Sequence, residues 1–135
     1  MYTIGKDLID MAFELEFFKC DTCGDTYLRI KGAACSPVCC GKPMRKMVAN
    51  DTDAAFEKHV PAVTKTDSGL HVEIGSTIHP MLDEHYIEWI AVAYDGGIAV
   101  KYLAPGDEPI ADFPGIFAGT VYEHCNLHGL WKAEI

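Results

Sequence analysis

Tyr86-Ile87-Glu88-Trp89-Ile90-Ala91-Val92-Ala93-Tyr94 runs into Asp95-Gly96-Gly97 and out again as Ile98-Ala99-Val100-Lys101-Tyr102-Leu103. Two runs rich in aromatic and β-branched residues, joined by an Asp-Gly turn, predict a β-hairpin. Upstream, Leu70-His71-Val72-Glu73-Ile74 alternates apolar with polar residues; downstream, Gly119-Thr120-Val121-Tyr122-Glu123 reads as another short strand. Turn-forming connections such as Ala104-Pro105-Gly106-Asp107-Glu108-Pro109 separate them. Short strands, frequent turns and no long helical pattern predict an all-β chain whose larger part is an antiparallel sandwich. Residues 4–15, with Ile4, Leu8, Ile9, Met11, Ala12 and Leu15, predict a short amphipathic helix or lead-in that needs a surface to cover.

The 135 residues suffice for one ordinary domain, or for a compact domain beside a very small one. A net charge of −9 makes nucleic acid and anionic membrane surfaces poor partners. Lys6, Asp7, Asp10, Glu14 and Glu16 interrupt every apolar run that would serve as a signal peptide. No stretch approaches the roughly 20 apolar residues of a membrane span. The expected compartment is the reducing cytoplasm, where clustered cysteines serve metal or redox chemistry more often than disulfides.

The cysteines and histidines are segregated. Five of the six cysteines lie between positions 20 and 40, and the histidines begin only at His59. This predicts a thiolate-rich head, residues 1–48, and an imidazole-rich body, residues 49–135, meeting near the polar run Asn50-Asp51-Thr52-Asp53. In the head, Cys20-Asp21-Thr22-Cys23-Gly24 is a C-x2-C knuckle and Cys39-Cys40-Gly41 supplies a second pair sixteen residues later. Two such pairs point to a four-thiolate site, and tetrahedral thiolate suits zinc and iron alike. The site can be solely structural, since a head with few core residues gains folding energy from its metal. Adjacent cysteines cannot chelate through a relaxed C-x2-C turn, so distortion is expected there. Cys35 is a fifth thiol, either a free cysteine or an alternative ligand in Cys35-x3-Cys39.

The body offers four imidazoles and one thiolate. His59 stands in Glu57-Lys58-His59-Val60-Pro61, His79 in Ile78-His79-Pro80-Met81, and His85 in Glu84-His85-Tyr86-Ile87. Cys125 and His128 share Cys125-Asn126-Leu127-His128-Gly129-Leu130-Trp131. Structural zinc is content with four ligands in a closed tetrahedron. Five candidates including a soft thiolate suit a redox-active transition metal with one open position. His71 and His124 read as satisfied polar or surface residues, with His124 near enough to Cys125 to support it. Trp89, Trp131, Met81 and Tyr86 read first as packing residues, Pro80 and Gly129 as turn formers. The backbone amides of Leu127 and His128 are candidates to hydrogen-bond the Cys125 sulfur.

Taken together and in order, these motifs resemble desulfoferrodoxin, the two-domain form of superoxide reductase. The match runs from about Phe17 to Glu134 and is carried by Cys20-x2-Cys23, Val38-Cys39-Cys40-Gly41-Lys42-Pro43-Met44, the three histidine motifs and the C-terminal Cys125–His128 motif. The resemblance implies a desulforedoxin-like head with Cys20, Cys23, Cys39 and Cys40 around iron, or zinc in its place. It implies an immunoglobulin-like β-sandwich body with a mononuclear non-haem iron held by His59, His79, His85, His128 and Cys125. The implied reaction is one-electron reduction of superoxide to hydrogen peroxide. It further implies a rubredoxin-like electron donor and a homodimer. Lys58 then becomes the cation that draws superoxide to a chain of net charge −9, and Glu57 the carboxylate that fills the open position in the oxidised resting state. The family usually has an aromatic residue where this chain has His124, and Cys35 is not part of its pattern. The competing expectations are superoxide dismutation, and an electron-transfer or metal-stabilised interaction module without catalysis.

Overall fold

The computed structural model describes residues 14–32, 34–52, 59–75 and 79–135. Most of the helix expected over 4–15, together with Glu57 and Lys58, lies outside the described residues. Among the described residues there are strands and no helix, and all pairing between strands is antiparallel. The chain is all-β. Its described part divides into two compact units, Glu14–Val48 and Ala49–Ile135.

The first unit holds β1 (Glu16–Lys19), β2 (Thr26–Arg29), β3 (Val38–Cys39), β4 (Lys42–Pro43) and β5 (Arg45–Lys46). Strands β2, β1 and β5 form one small sheet in that order, and β3 with β4 forms a separate ribbon. Its buried cluster is Phe18, Cys20 and Met44, with Cys39 against it. The Arg29 guanidinium lies 4.8 Å over the Phe18 ring and its Nη1 donates to Glu16 at 2.6 Å. Side chains of this kind bury about 1.5–3 kcal/mol each, so a cluster of three residues is too small to order the unit alone.

The second unit holds β6 (Pro61–Lys65), β7 (Gly69–Ile74), β8 (Ile87–Tyr94), β9 (Gly97–Tyr102), β10 (Ile110–Pro114), β11 (Thr120–Cys125) and β12 (Gly129–Glu134). They form two sheets, β10-β7-β6 and β12-β11-β8-β9. Leu70, Val72, Ile74, Ala111 and Phe113 of the first sheet share one core with Ile87, Ile90, Val92 and Val121 of the second. This is a seven-stranded sandwich of the immunoglobulin-like kind. The expected hairpin is β8–β9, closing at Tyr94↔Gly97, with Gly96 at φ +95° where a side chain would be strained. Asn50 joins the body from outside the named strands: its N–H donates to Leu130 O at 2.9 Å and its carbonyl accepts from Lys132 N at 2.8 Å.

Alternation along β7 turns His71 outward, where Nδ1 meets Asp112 Oδ1 at 2.6 Å and Nε2 meets Glu73 Oε1 at 3.2 Å. Asp112 first, then Glu73, raises the His71 pKa. Because the folded pKa is the higher one, this pairing stabilises fully below the unfolded value of about 6.5 and is lost as pH rises through the folded value. All three groups are partly exposed, so the effect is small, about 0.2–1 kcal/mol. His71→Gln is expected to flatten the fall in stability above about pH 6.5. Denaturant melts of the two proteins from pH 5 to 9 check this, and parallel curves would refute it.

Candidate metal centres

In the first unit the Cys20–Cys23 knuckle is set by backbone bonds, Gly24 N to Cys20 O at 2.8 Å and Cys20 N to Asp25 O at 2.9 Å. The second pair sits on the two-residue turn between β3 and β4, with Cys39 paired to Lys42. Cys40 at φ 53° and Gly41 at φ 74° both adopt left-handed backbone, the signature of a type I′ hairpin turn. Cys40 is the single non-glycine residue with positive φ among the described residues. The distortion that adjacent cysteines require is thus carried by the backbone of Cys40.

The sulfurs of Cys20, Cys23, Cys39 and Cys40 all lie within 4.8 Å of one another. Cys23 Sγ is 3.6 Å from Cys39 Sγ, which is 4.0 Å from Cys40 Sγ. Cys35 is an exposed thiol outside this group, and its carbonyl accepts from Arg29. The Cys23 backbone N–H lowers the Cys20 pKa to about 6. Sharing hydrogen bonds with Cys20 and Cys23 pushes the Cys39 thiol far up, and Cys40 is raised in the same way, by Cys23 first. One thiol ionises readily and its neighbours then resist, as crowded thiols do. A divalent cation removes that resistance, so the donor set fits a thiophilic metal.

In the body the antiparallel pairing gathers the remaining candidates at one end of the sandwich. His59 precedes β6, whose first residue Pro61 pairs with Ile74 at the end of β7. His79 and His85 follow β7 and precede β8, whose first residue Ile87 pairs with Cys125 at the end of β11. His128 lies in the turn 126–128, closed by Cys125↔Gly129 with Gly129 at φ 84°. A register shift between His124 and Cys125 marks a β-bulge at that point. Such bulges re-aim side chains near functional sites.

The four imidazoles form a closed ring. Ring centroids are separated by 4.7 Å from His59 to His79, 4.8 Å from His79 to His85, 5.0 Å from His85 to His128, and 4.9 Å from His128 to His59. Donor atoms of His59, His79 and Cys125 lie within 4.8 Å of one another, as do those of His85, Cys125 and His128, so the Cys125 sulfur is common to both triads. The first triad is wholly buried, whereas His85 is half-buried and His128 exposed. The ring therefore has a closed side and a side reachable from solvent.

Neighbouring groups fix the rings. His79 Nδ1–H donates to the Pro80 carbonyl at 2.7 Å, which leaves Nε2 as its lone-pair nitrogen. His128 turns Nδ1 to within 3.8 Å of Cys125 Sγ. Trp131, read first as a packing residue, stacks on His59 at 4.8 Å and donates its indole N–H to His128 O at 3.1 Å. Glu123, absent from the sequence reading as a site residue, is fully buried with Oε1 3.6 Å from His59 Nδ1. Glu123 and Cys125 can ionise at this depth only beside compensating positive charge. A metal cation among the imidazoles supplies it, so these donors fit one. His124 is a buried, satisfied polar residue: Nδ1 contacts Glu88 Oε1 at 2.6 Å and its ring stacks on Trp89 at 5.7 Å.

A β-sandwich with this His/Cys ring, joined in sequence to a four-thiol knuckle, defines a small non-haem metalloprotein. Residues 51–134 match the family model described as Desulfoferrodoxin. The chain is 47% identical over 125 residues to the desulfoferrodoxin of Syntrophotalea carbinolica, covering 92% of this chain and 99% of that one. It is 45% identical to the desulfoferrodoxin of Nitratidesulfovibrio vulgaris, again with 92% and 99% covered. The superoxide reductase of Treponema pallidum superposes on 90% of this chain and 99% of its own, with a TM-score of 0.78 and 31% identity. The chain belongs to the desulfoferrodoxin family.

Proposed function

We propose that this protein is a superoxide reductase, catalysing the one-electron reduction of superoxide to hydrogen peroxide with uptake of two protons. The observation that carries the reading is the closed ring of four imidazoles, 4.7–5.0 Å from centroid to centroid, with the Cys125 sulfur common to both halves. In this reading His59, His79, His85, His128 and Cys125 hold a mononuclear iron. Cys20, Cys23, Cys39 and Cys40 hold a second metal, iron or zinc. Residues 1–48 act as a desulforedoxin-like domain and residues 49–135 as the reductase domain. When bound, the iron of the body would supply the one-electron couple and a Lewis acid for superoxide.

The chain's own residues do the rest. The Pro80 carbonyl holds His79 in one tautomer, and Trp131 stacked on His59 sets the orientation of that ring, with Glu123 Oε1 3.6 Å from it. Cys125 would offer the metal a soft sulfur donor from inside the core, where it packs in one buried apolar cluster with Ile87, Ile90 and Val121. The accessible edge at His85 and His128 admits a small anion. Lys58 would offset the net charge of −9 locally and organise a water for proton delivery, and Glu57 would be the carboxylate available to the metal in the resting state. Lys58→Ala is expected to slow superoxide capture about tenfold and to weaken its dependence on ionic strength. An unchanged second-order rate constant by pulse radiolysis would remove Lys58 from this role.

The reading also includes a rubredoxin-like electron donor, a homodimer and residence in the cytoplasm. No helix among the described residues is long and apolar enough to cross a membrane. Reduction of the oxidised protein by rubredoxin, sedimentation at micromolar concentration and cell fractionation test these in turn. The function itself is tested by product stoichiometry: the anaerobically reduced protein is mixed with a known amount of superoxide, and peroxide and oxygen are counted. One peroxide per superoxide without oxygen is expected. One peroxide and one oxygen per two superoxides, faster than spontaneous disproportionation, would make the protein a dismutase. No acceleration by iron-loaded protein would leave only a binding module.

A further inference from the structure

Cys125 and His128 come from the β11–β12 turn, and His85 from a loop forty residues earlier. The His85 loop closes on itself: Leu82 N donates to His85 O at 2.8 Å and His85 N to Leu82 O at 3.1 Å. Those bonds shape the loop but do not tie it to Cys125. The β11–β8 ladder reaches Cys125↔Ile87 through a bulge and stops there. One residue further on, Asn126 takes over. Its backbone N–H donates to Tyr86 O at 3.2 Å, its Oδ1 accepts from Tyr86 N at 2.9 Å, and its Nδ2 donates to Glu84 O at 3.1 Å. The side-chain amide thus stands in for a peptide group that the turn can no longer present. Its two bonds fall on the residues immediately before and after His85.

We infer that Asn126 is a positioning residue that registers His85 against Cys125 and His128, and so sets the solvent-side half of the donor ring. The buried half has supports of its own, since Trp131 stacks on His59 and the Pro80 carbonyl accepts from His79. Asparagine suits the place because one planar group must accept from an N–H and donate to a carbonyl at once. Aspartate can do only the first, and alanine neither.

The inference rests on the metal reading of the body site, so its test reads metal binding directly. Full-length metal-free protein is titrated with cobalt(II), following the thiolate charge-transfer and ligand-field bands of the two centres separately, alongside a thermal melt of the metal-free form. Asn126→Ala is expected to weaken cobalt binding at the His/Cys centre about 10–100-fold, as loss of a group supporting a ligand does elsewhere. Its ligand-field bands shift while the four-thiolate centre binds as before. Asn126→Asp is expected to lose less, because the bond from Tyr86 N survives. Wild-type affinity and bands at the His/Cys centre in either variant, with no more than a lowered melting temperature, would overturn the inference and leave Asn126 an ordinary turn residue. Should the alanine variant fail to fold, the aspartate variant decides by the same criterion. If the wild type itself takes up no cobalt at this centre, it is the metal reading that fails.

Discussion

Cys125→Ser is expected to reduce superoxide reduction by about 100-fold or more while the fold and the four-thiolate centre survive. The sulfur of Cys125 is the one donor atom common to both triads, so its loss cannot be compensated from one side of the ring. Serine is close to cysteine in size, and the site is fully buried at the end of β11, paired with Ile87 and Gly129. The backbone therefore has no reason to move. What changes is chemistry: a hydroxyl is a hard donor that stays protonated where a thiolate ionises, and it gives far less electron density to a bound metal. Turnover of iron-loaded protein under a superoxide flux, compared with circular dichroism and a thermal melt, separates the two effects. Turnover near that of the wild type would show that the thiolate is dispensable and that the imidazole ring suffices.

The residues gathered in the imidazole ring and the thiol cluster were legible because metal sites demand particular residue types, and this chain has few cysteines and histidines outside those groups. Geometry gathers the histidines that the motifs singled out and places His71 elsewhere on the sandwich, paired with Asp112. The hairpin of β8 and β9 was equally plain, since long β-branched runs on either side of an Asp-Gly turn admit few alternatives. Three strands were harder to see. β6 starts on a proline and is mostly exposed, β10 is broken by Asp112 and ends on Pro114, and β12 was hidden behind the ligand motif that opens it. Glu123 escaped notice because a lone glutamate in a strand is normally solvated. Its position two residues before Cys125 nevertheless places both on one face, and that period was the available signal. Asn126 had no such signal, as its role depends on a loop forty residues away. His124 turned out to be the satisfied polar residue rather than the surface one, because β11 is a central strand buried on both faces and Glu88 meets its ring nitrogen.

The head gives the opposite expectation: Cys39→Ser should remove its metal and loosen its ribbon, yet leave superoxide reduction by a small-molecule reductant within about twofold. Cys39 is the hub of the thiol cluster, 3.6 Å from Cys23 Sγ and 4.0 Å from Cys40 Sγ, with its carbonyl accepting from the Cys20 thiol at 3.8 Å. Replacing it leaves three sulfurs and one weak oxygen donor around any cation. The apolar cluster of Phe18, Cys20 and Met44 is too small to hold the unit without that cation, so binding free energy there is folding free energy. The strained backbone at Cys40, φ 53°, adds to the tendency of the turn to relax once the metal is gone. The His/Cys ring draws no donor from this unit, which is why its chemistry should persist. Metal content falling from two per chain to one, faster proteolysis within residues 14–48 and an unchanged peroxide yield are the expected readings. Loss of reduction along with the head metal, in protein whose body centre is still iron-loaded, would mean that electrons must pass through the four-thiolate centre and that the head is an obligatory part of the enzyme.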